Sequence, residues 1–455
     1  MIRFESWYWK SGKTAMLKEF KIECDWFGRE TESPMDRWFS AEIGLGVGED
    51  WLTRLEEIDA RTVRTHLRGC GYQLAQWFAG NWWRLRWEPE SRSSRKDPNW
   101  RMAHSLTSAG GGYVWPNLLF ASDGETLAVG SVASRQNAAF EPIRYLNHIL
   151  SRISAEEFEE KVDVFIEGVL SRMHTLKIRD DNLSTLWGEV LAERHDPKMA
   201  RWRRLEAKCG YDPDDAPEET MRMLFEDTGR LGRNALEEVA AQGRHATLEI
   251  LKAILDLADS TAKPAGHGHR CKMPELSTKP RYPANLRPWQ RATTLAKIAR
   301  DQWGLGKKPI TNKQLADLLG TKPGIFTSRQ KPLAPLSLAV RSRKTGDFDF
   351  YLDSSWSTTR RFACGRLLGD HLDLQGNERL IPSTDAKTAR QQFQRAFAQE
   401  FLCPINALLE KIQTDDPDED DVAEAAKHFD VSPLMIRTTL VNKGELDREA
   451  LSWDD

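Results

Sequence analysis

Hydrophobic and polar residues alternate with a period of two in parts of the first 150 residues. The segments "RWFSAEIGLGV" and "NLLFASDGETLAVGSV" have the pattern of half-buried strands, and Asp123-Gly124 predicts a turn inside the second. Between them, "RTVRTHLRGCGYQLAQWFAGNWWRLRWEPE" predicts a helix that leads into a strand rich in tryptophan and arginine. Residues 1–150 are therefore expected to form an α+β domain.

From about residue 151 to residue 260, the apolar positions recur at the spacing of an α-helix. In "SAEEFEEKVDVFIEGVLSRM", Ser154 and Glu157 have the spacing of a capping box, and the apolar residues after them fall on one helical face. We expect this region to be helical. Residues 261–285 are dense in Pro, Gly and Ser and are predicted to be a linker.

Residues 286–455 have mainly helical periodicity. Thr311 and Gln314 predict a capping box on a short helix that ends at Gly320, and "LSLAVRSRKTGDFDFYLD" predicts a hairpin with Gly346 in its turn. Helices are expected at "RRFACGRLLGDHLDL", at "TARQQFQRAFAQEFLCP" and as a pair in "DVAEAAKHFDVSPLMIRTTLVNKG". The chain as a whole is predicted to have an α+β fold with a helical middle and a mainly helical C-terminal domain that contains a small sheet.

Composition and charge limit the possible partners. The net charge is −3, so the chain as a whole does not attract nucleic acid or an anionic membrane, and any such binding needs a local patch. We expect a cytoplasmic protein without a transmembrane helix, because no apolar run of about 18 residues occurs and the six cysteines are scattered. Eleven of the 17 tryptophans lie at or before Trp115, which suggests a separate N-terminal unit.

Two groups of residues are candidates for nucleic-acid contacts. Interleaved aromatic and basic residues can stack on single-stranded bases. The same alternation is typical of a half-buried strand with its tryptophan face in the core, and we favour this second interpretation. A helix near the C-terminus has the polar and basic residues of a DNA-reading helix, beside an acidic run that would repel DNA. The candidate contacts are Trp83, Arg84, Arg86 and Trp87 in the first group and Arg437 and Lys443 in the second.

Other candidate chemistry is sparse. His267, His269 and Cys271 in the predicted linker have metal-binding side chains, but a structural zinc site needs four ligands in two spaced pairs, and we predict a solvated linker instead. His104, Asp123 and the glycine-rich loop at 110–112 would be the only basis for an enzyme site in the N-terminal domain, and sequence proximity alone supports it.

Three motifs in the last 170 or so residues resemble, in the right order, those of the ImmA/IrrE family of zinc metallopeptidases. "RRFACGRLLGDHL" resembles the R-F-x-x-A-H-E-x-G-H-x-L helix of the family, and "RAFAQEFLCP" resembles its E-A-N-x-F-A-x-E-L-L-M-P helix. "DVAEAAKHFDVSPLMIRTTLVNKG" resembles its closing pair of helices. The resemblance covers about a third of the chain and implies a zincin-like C-terminal domain.

The residues that hold and activate zinc in that family are replaced here. Two histidines at i and i+4 share one face of a helix and can meet one metal ion, and the glutamate beside the first acts as general base. The aligned residues are Arg366, Leu367 and Asp370, and the third ligand aligns with Phe393. We therefore predict no catalytic residue, no metal and no cofactor at this degenerate site. Arg366 and Asp370 are spaced to form an ion pair in place of the metal.

The resemblance implies a setting in which such domains act. Members of the family function in bacterial stress response, toxin–antitoxin pairs, control of mobile elements and phage defence. We expect a non-catalytic regulatory or recognition protein with a pseudo-metallopeptidase domain and a protein partner, for which neighbouring genes are the first candidates. The alternative is a nucleic-acid-binding regulator that uses the candidate contacts above, with an affinity that falls steeply with salt.

Overall fold

The computed structural model describes most of the chain, and it shows an α+β fold. The described residues are 17–27, 34–91, 97–134, 142–178, 181–259, 268–278, 280–283, 286–328, 334–374, 378–414 and 417–446. They fall into two compact units, one within residues 14–216 and the other within residues 217–455. No helix among them has the length and apolar character needed to cross a membrane.

The first unit contains small antiparallel sheets and a group of helices. Its strands are β1 (Phe20–Trp26), β2 (Ser40–Val47), β3 (Asp50–Trp51), β4 (Leu55–Glu57), β5 (Thr62–Arg64), β6 (Leu67–Cys70), β7 (Asn117–Ser122), β8 (Thr126–Val132), β9 (Ile143–Tyr145) and β10 (Ile149–Ser154). Its helices are α1 (Pro34–Phe39), α2 (Gly71–Gly80), α3 (Trp82–Trp87), α4 (Pro98–His104), α5 (Ala155–Thr175), α6 (Asp181–His195) and α7 (Pro197–Lys208).

Antiparallel pairing organises the strands of the first unit. The sheets have the orders β1-β2-β3 with β6 on β2, β10-β8-β7, and β5-β4-β9. The predicted turn at Asp123-Gly124 is confirmed, because it joins β7 to β8, and Gly124 has a φ of +95°. An aromatic core holds the unit together, since the Phe158 ring centroid lies 6.0 Å from that of Phe20 and 5.8 Å from that of Phe120.

Two local predictions in this unit are wrong. The aromatic segment at 82–87 is the helix α3 rather than a strand, and both of its interleaved faces are largely buried. Ser154 stands at the N-cap of α5, but its side chain makes no capping hydrogen bond there. Glu157 instead accepts a hydrogen bond from the backbone N–H of Phe20 at 2.9 Å. A tertiary contact to β1 has replaced the local cap.

The second unit consists of helices around a small sheet. Its helices are α8 (Glu218–Glu226), α9 (Thr228–Leu231), α10 (Arg233–Ala240), α11 (Leu248–Asp259), α12 (Pro288–Gln302), α13 (Asn312–Leu318), α14 (Gly324–Thr327), α15 (Ser357–Asp373), α16 (Ala389–Leu402), α17 (Ile405–Ile412), α18 (Glu419–Phe429) and α19 (Pro433–Lys443). Its strands are β11 (His269–Cys271), β12 (Ser337–Arg341), β13 (Phe348–Tyr351) and β14 (Leu380–Ser383), in the order β11-β13-β12-β14.

Several sequence predictions for this unit are confirmed. The hairpin joins β12 to β13 with Gly346 at a φ of +77°, and the Thr311–Gln314 capping box starts α13. The predicted linker, residues 261–285, is not solvated throughout. His269–Cys271 pairs with β13 as an edge strand, and Cys271 is buried in the core. His267 lies outside the described residues. A segment that looked solvated by composition is thus built into the sheet.

The two units divide the chain at places other than the predicted boundaries of 150 and 260. Helices α5–α7 belong to the first unit, because α5 contributes Phe158 to its aromatic core. Helices α8–α11 belong to the second, where Arg379 donates hydrogen bonds to the carbonyl oxygens of Arg230 at 3.2 Å and of Ala258 at 2.5 Å. Tertiary contacts have grouped helices that the sequence placed in one middle region.

Candidate functional site

Helix α15 carries the residues that align with a zinc motif, and most of its residues are buried. Every residue from Ala363 to Leu372 is buried, which is typical of a helix surrounded by protein on all sides. The fully buried Arg361 fixes its first half by donating to the carbonyl oxygens of Asp430 at 2.9 Å and Ile310 at 2.6 Å. The arginine therefore positions α15 against the turn between α18 and α19.

Arg366 aligns with the first histidine of the zinc motif, and its guanidinium turns toward α16 and the loop before it. Nη2 donates to the carbonyl oxygen of Thr384 at 2.7 Å and to the side-chain oxygen of Gln391 at 2.5 Å. Burial, and after it the neighbouring Arg395, lower the pKa of Arg366 to about 9. The group is a cation held by neutral acceptors.

Asp370, which aligns with the second histidine of the zinc motif, pairs with an arginine that sequence reasoning did not identify. Arg390 on α16 donates through Nε to both carboxylate oxygens, at 3.0 and 3.1 Å, and through Nη2 at 2.7 Å. Arg390 also donates to Glu378 at 2.9 Å. Burial alone would lower the pKa of Arg390, but Asp370 and Glu378 raise it overall.

The predicted ion pair between Arg366 and Asp370 is therefore wrong. The two side chains lie one helical turn apart but face different surroundings, Arg366 toward Thr384 and Gln391 and Asp370 toward Arg390. The physical reason is geometric, since a bidentate contact from Arg390 satisfies both oxygens of Asp370 better than a neighbour on the same helix can.

A glutamate from α10 completes the buried polar cluster. Glu238 accepts hydrogen bonds from the Thr388 hydroxyl at 2.6 Å and from the Gln391 side-chain amide at 3.0 Å. Thr388 in turn accepts from the backbone N–H of Gln391 at the start of α16. The polar cluster of Arg366, Asp370, Arg390, Gln391 and Glu238 thus joins α10, α15 and α16.

The residues at the aligned positions do not fit a catalytic zinc ion. Arg366 has no lone pair to offer, and Leu367 and Phe393 are in the hydrophobic core. His371, next to Asp370, packs its ring against Phe348 at 5.2 Å between centroids. In the part of the chain that the structure describes, no group of three or more His, Cys, Asp or Glu side chains is arranged to hold a metal ion.

The tryptophan–arginine residues proposed for nucleic-acid contacts are mostly occupied within the first unit. Trp83 donates to Glu193 at 2.8 Å, Arg84 to Glu88 at 2.7 Å and Arg86 to Glu159 at 2.5 Å, and all three donors are buried. The ring of half-buried Trp87 contacts two guanidinium groups, those of Arg86 at 3.8 Å and Arg204 at 4.0 Å from its centroid. These residues bind to their own unit rather than presenting a stacking face.

In the closing pair of helices, α18 and α19, one of the two candidate nucleic-acid contacts is also occupied within the protein. Arg437 on α19 forms an ion pair with Glu419 in the acidic first turn of α18. Lys443 is exposed at the end of α19. Of the two candidate contacts there, only the lysine remains directed to solvent.

The residues of the hypothetical enzyme site in the first unit are not brought together for chemistry. His104 is fully buried, and its two ring nitrogens lie 3.0 Å from a Glu88 carboxylate oxygen and 2.9 Å from the Phe120 carbonyl oxygen. Asp123 instead accepts from Thr126 and pairs with Arg152. The His104 and Asp123 side chains thus have separate structural partners.

Sequence reasoning missed Arg390, Gln391 and Glu238. Gln391 and Gln394 are buried and spaced i, i+3 on an otherwise apolar face of α16, which is a local sign of a buried polar contact. No comparable sign marks Glu238, because it lies 150 residues or more from its partners Thr388 and Gln391.

Comparisons of the chain with protein-family models, curated proteins and solved structures find no match. The resemblance to a metallopeptidase family therefore rests on the three motifs alone.

Proposed function

We propose that this chain is a non-catalytic regulatory or recognition protein with a pseudo-metallopeptidase domain. The observation that carries the proposal is the state of α15, in which the positions of a metal-binding motif hold Arg366, Leu367 and Asp370 inside a hydrogen-bonded cluster. A guanidinium and an isobutyl group cannot bind zinc or accept a proton from water. The domain keeps a helix framework without its chemistry.

Protein recognition is the use that this framework suits best. Trp356, at the N-cap of α15, is 75% exposed, although large apolar side chains usually lie inside. Tryptophan is one of the residue types enriched among the energetically dominant contacts of protein interfaces. With the resemblance to ImmA/IrrE proteins, this favours a regulator in bacterial stress response, a toxin–antitoxin pair or phage defence, with a partner encoded nearby.

The purified chain is expected to contain no stoichiometric zinc and to cleave no peptide. The zinc content is measured by mass spectrometry after dialysis with and without added zinc. Peptidase activity is measured by the hydrolysis of an unstructured protein substrate. The reason is the missing ligand set, which cannot make the three-ligand site of a zinc enzyme. One zinc per chain that is lost on Arg366→Ala or Asp370→Ala would contradict the proposal.

The Trp356→Ala variant is expected to recover much less of the native partner than the wild type. Crosslinking in the native host followed by mass spectrometry measures recovery, and Leu434→Ala, which truncates another exposed apolar side chain, is the matched control. Loss of a central tryptophan contact typically costs about 2 kcal/mol or more of binding. Recovery of nucleic acid instead of protein, released by moderate salt, would favour the nucleic-acid-binding alternative and the exposed Lys443 as one of its contacts.

A further inference from the structure

The fully buried histidine of the first unit has a hydrogen-bond acceptor at each ring nitrogen. His104 Nδ1 lies 2.9 Å from the carbonyl oxygen of Phe120, and Nε2 lies 3.0 Å from a carboxylate oxygen of Glu88. A neutral imidazole has one N–H group and one bare nitrogen, so it can donate to only one of these two oxygens. The bare nitrogen would then face an oxygen lone pair inside the protein, which is unfavourable.

A proton on both ring nitrogens removes this conflict. The imidazolium form of His104 donates to Phe120 and to Glu88 at the same time. The other form that satisfies both contacts is a protonated Glu88 that donates to a bare Nε2. Arg84 disfavours that form, because its Nε donates to the same Glu88 oxygen at 2.7 Å, and a cation at this distance favours the ionised carboxylate.

The charges and rings around the pair also suit an imidazolium. Burial alone would raise the pKa of Glu88, but the hydrogen bonds and charges of His104 and Arg84 hold it below its ordinary value. Trp100 stacks on the His104 ring with 4.2 Å between the centroids and 9° between the planes, and an indole face attracts a cation. Arg84 has a second acid, Asp212, at 3.4 Å. Two carboxylates therefore balance Arg84 and the imidazolium.

The other groups near the pair do not take over its ionisation. Strand β7, which supplies the Phe120 carbonyl oxygen, has no ionisable side chain, and Arg101 on α4 is exposed. The Cys209 thiol interacts with Glu88, but burial raises the pKa of Cys209 to about 12, so the thiol is uncharged at neutral pH. The proton that can leave this cluster near neutral pH is the second proton of His104.

We propose that His104 and Glu88 form a buried proton-binding site that makes the first unit a pH-sensitive device. His104 is an imidazolium at neutral pH, and it connects α4 to Glu88 at the end of α3 and to the Phe120 carbonyl oxygen of β7. Loss of its second proton leaves a bare nitrogen against a carboxylate, which weakens the contacts among α3, α4 and β7. The device is closed in acidic and neutral solution and opens as the pH rises. This inference does not depend on the proposed protein partner.

Denaturant unfolding of the full chain between about pH 6 and pH 8.5 tests the site, with hydrogen exchange of peptides from α3, α4 and β7 to localise the change. An unfolded histidine loses its second proton at about pH 6.5, and the folded protein keeps it. The unfolding equilibrium constant of the first unit should therefore rise by up to about tenfold per pH unit above that value.

Two variants separate this rise from the titration of other groups. In Glu88→Gln, an amide N–H can donate to a bare Nε2, so a neutral His104 is satisfied and most of the rise should be lost. His66→Gln is the control and should keep the full rise. A neutral His66 satisfies both of its contacts, because Nε2 can donate to Glu23 at 2.9 Å and Nδ1 can accept from the Thr65 hydroxyl at 2.9 Å.

Nitrogen-15 NMR of the histidine-labelled wild type measures the protonation directly and does not require a variant to fold. Magnetisation transfer from the stacked Trp100 ring identifies the His104 signals, and we expect an attached proton on both ring nitrogens at neutral pH. One attached proton and one bare nitrogen would overturn the proposal. The same rise of the unfolding constant in the wild type and in a folded Glu88→Gln protein would place the pH dependence elsewhere and overturn it as well.

Discussion

Replacement of Asp370 by asparagine is expected to destabilise the second unit by about 3–5 kcal/mol. Asp370 is 1% exposed and receives three N–H contacts from Arg390. Its neutralisation leaves the guanidinium of Arg390, whose side chain is only 13% exposed, with Glu378 as its remaining contacting acid among the described residues. Equilibrium unfolding in denaturant gives the free energy, and hydrogen exchange of peptides from α15 and α16 localises the loss.

A double-mutant cycle distinguishes this contact from the pairing expected from helix spacing. Asp370→Asn combined with Arg390→Gln should show a coupling energy of about 2 kcal/mol, and Asp370→Asn combined with Arg366→Gln should be close to additive. Glu424→Gln breaks an exposed ion pair with Lys411 and serves as the control, for which no measurable change is expected. Strong coupling between residues 366 and 370 would contradict the structure.

The second large effect is expected from Gly369→Ala, which we predict to lower the free energy of unfolding by about 2 kcal/mol. This figure already includes the gain from the better helix propensity of alanine. A Cβ atom at this position would lie 2.5 Å from the Phe397 ring. Phe397 cannot move away easily, because it is fully buried and stacks on Phe401 with a centroid distance of 5.4 Å. The measurement is again denaturant unfolding with hydrogen exchange of α15 and α16.

Two other glycines give a graded comparison. At Gly365 the added Cβ would lie 3.1 Å from the Ala398 Cβ, so Gly365→Ala should change stability little, as crowding and helix propensity nearly cancel. Gly188 is exposed in α6 with nothing within 4 Å, so its replacement by alanine should stabilise the first unit by up to about 1 kcal/mol. A second replacement at Phe397 tests the cause of the Gly369→Ala effect. Shortening Phe397 to leucine should partly restore the stability that Gly369→Ala removes. A Gly369→Ala protein as stable as the wild type would refute the tight packing of α15 on α16.

Local chemistry made part of this fold predictable. The hairpin around Gly346 and the Thr311–Gln314 capping box depend on residues within a few positions of each other, and the structure contains both. The same reasoning failed at 82–87, where the alternation of tryptophan and arginine predicted a strand. In the helix α3 both kinds of side chain are largely buried, because Glu88 at the end of the helix and Glu159 and Glu193 from other segments satisfy the polar groups.

The buried polar cluster around α15 shows the same division between what sequence and tertiary structure decide. The sequence by itself determined that α15 is a helix and that Arg366, Leu367 and Phe393 cannot bind zinc, since this follows from side-chain chemistry alone. Which groups neutralise the buried charges was decided only when distant segments met. Asp370 finds Arg390 twenty positions away, and Gln391 finds Glu238 more than 150 positions away. Burial requires each polar group to be satisfied by whatever packs against it, and periodicity along one helix contains no information about that neighbour.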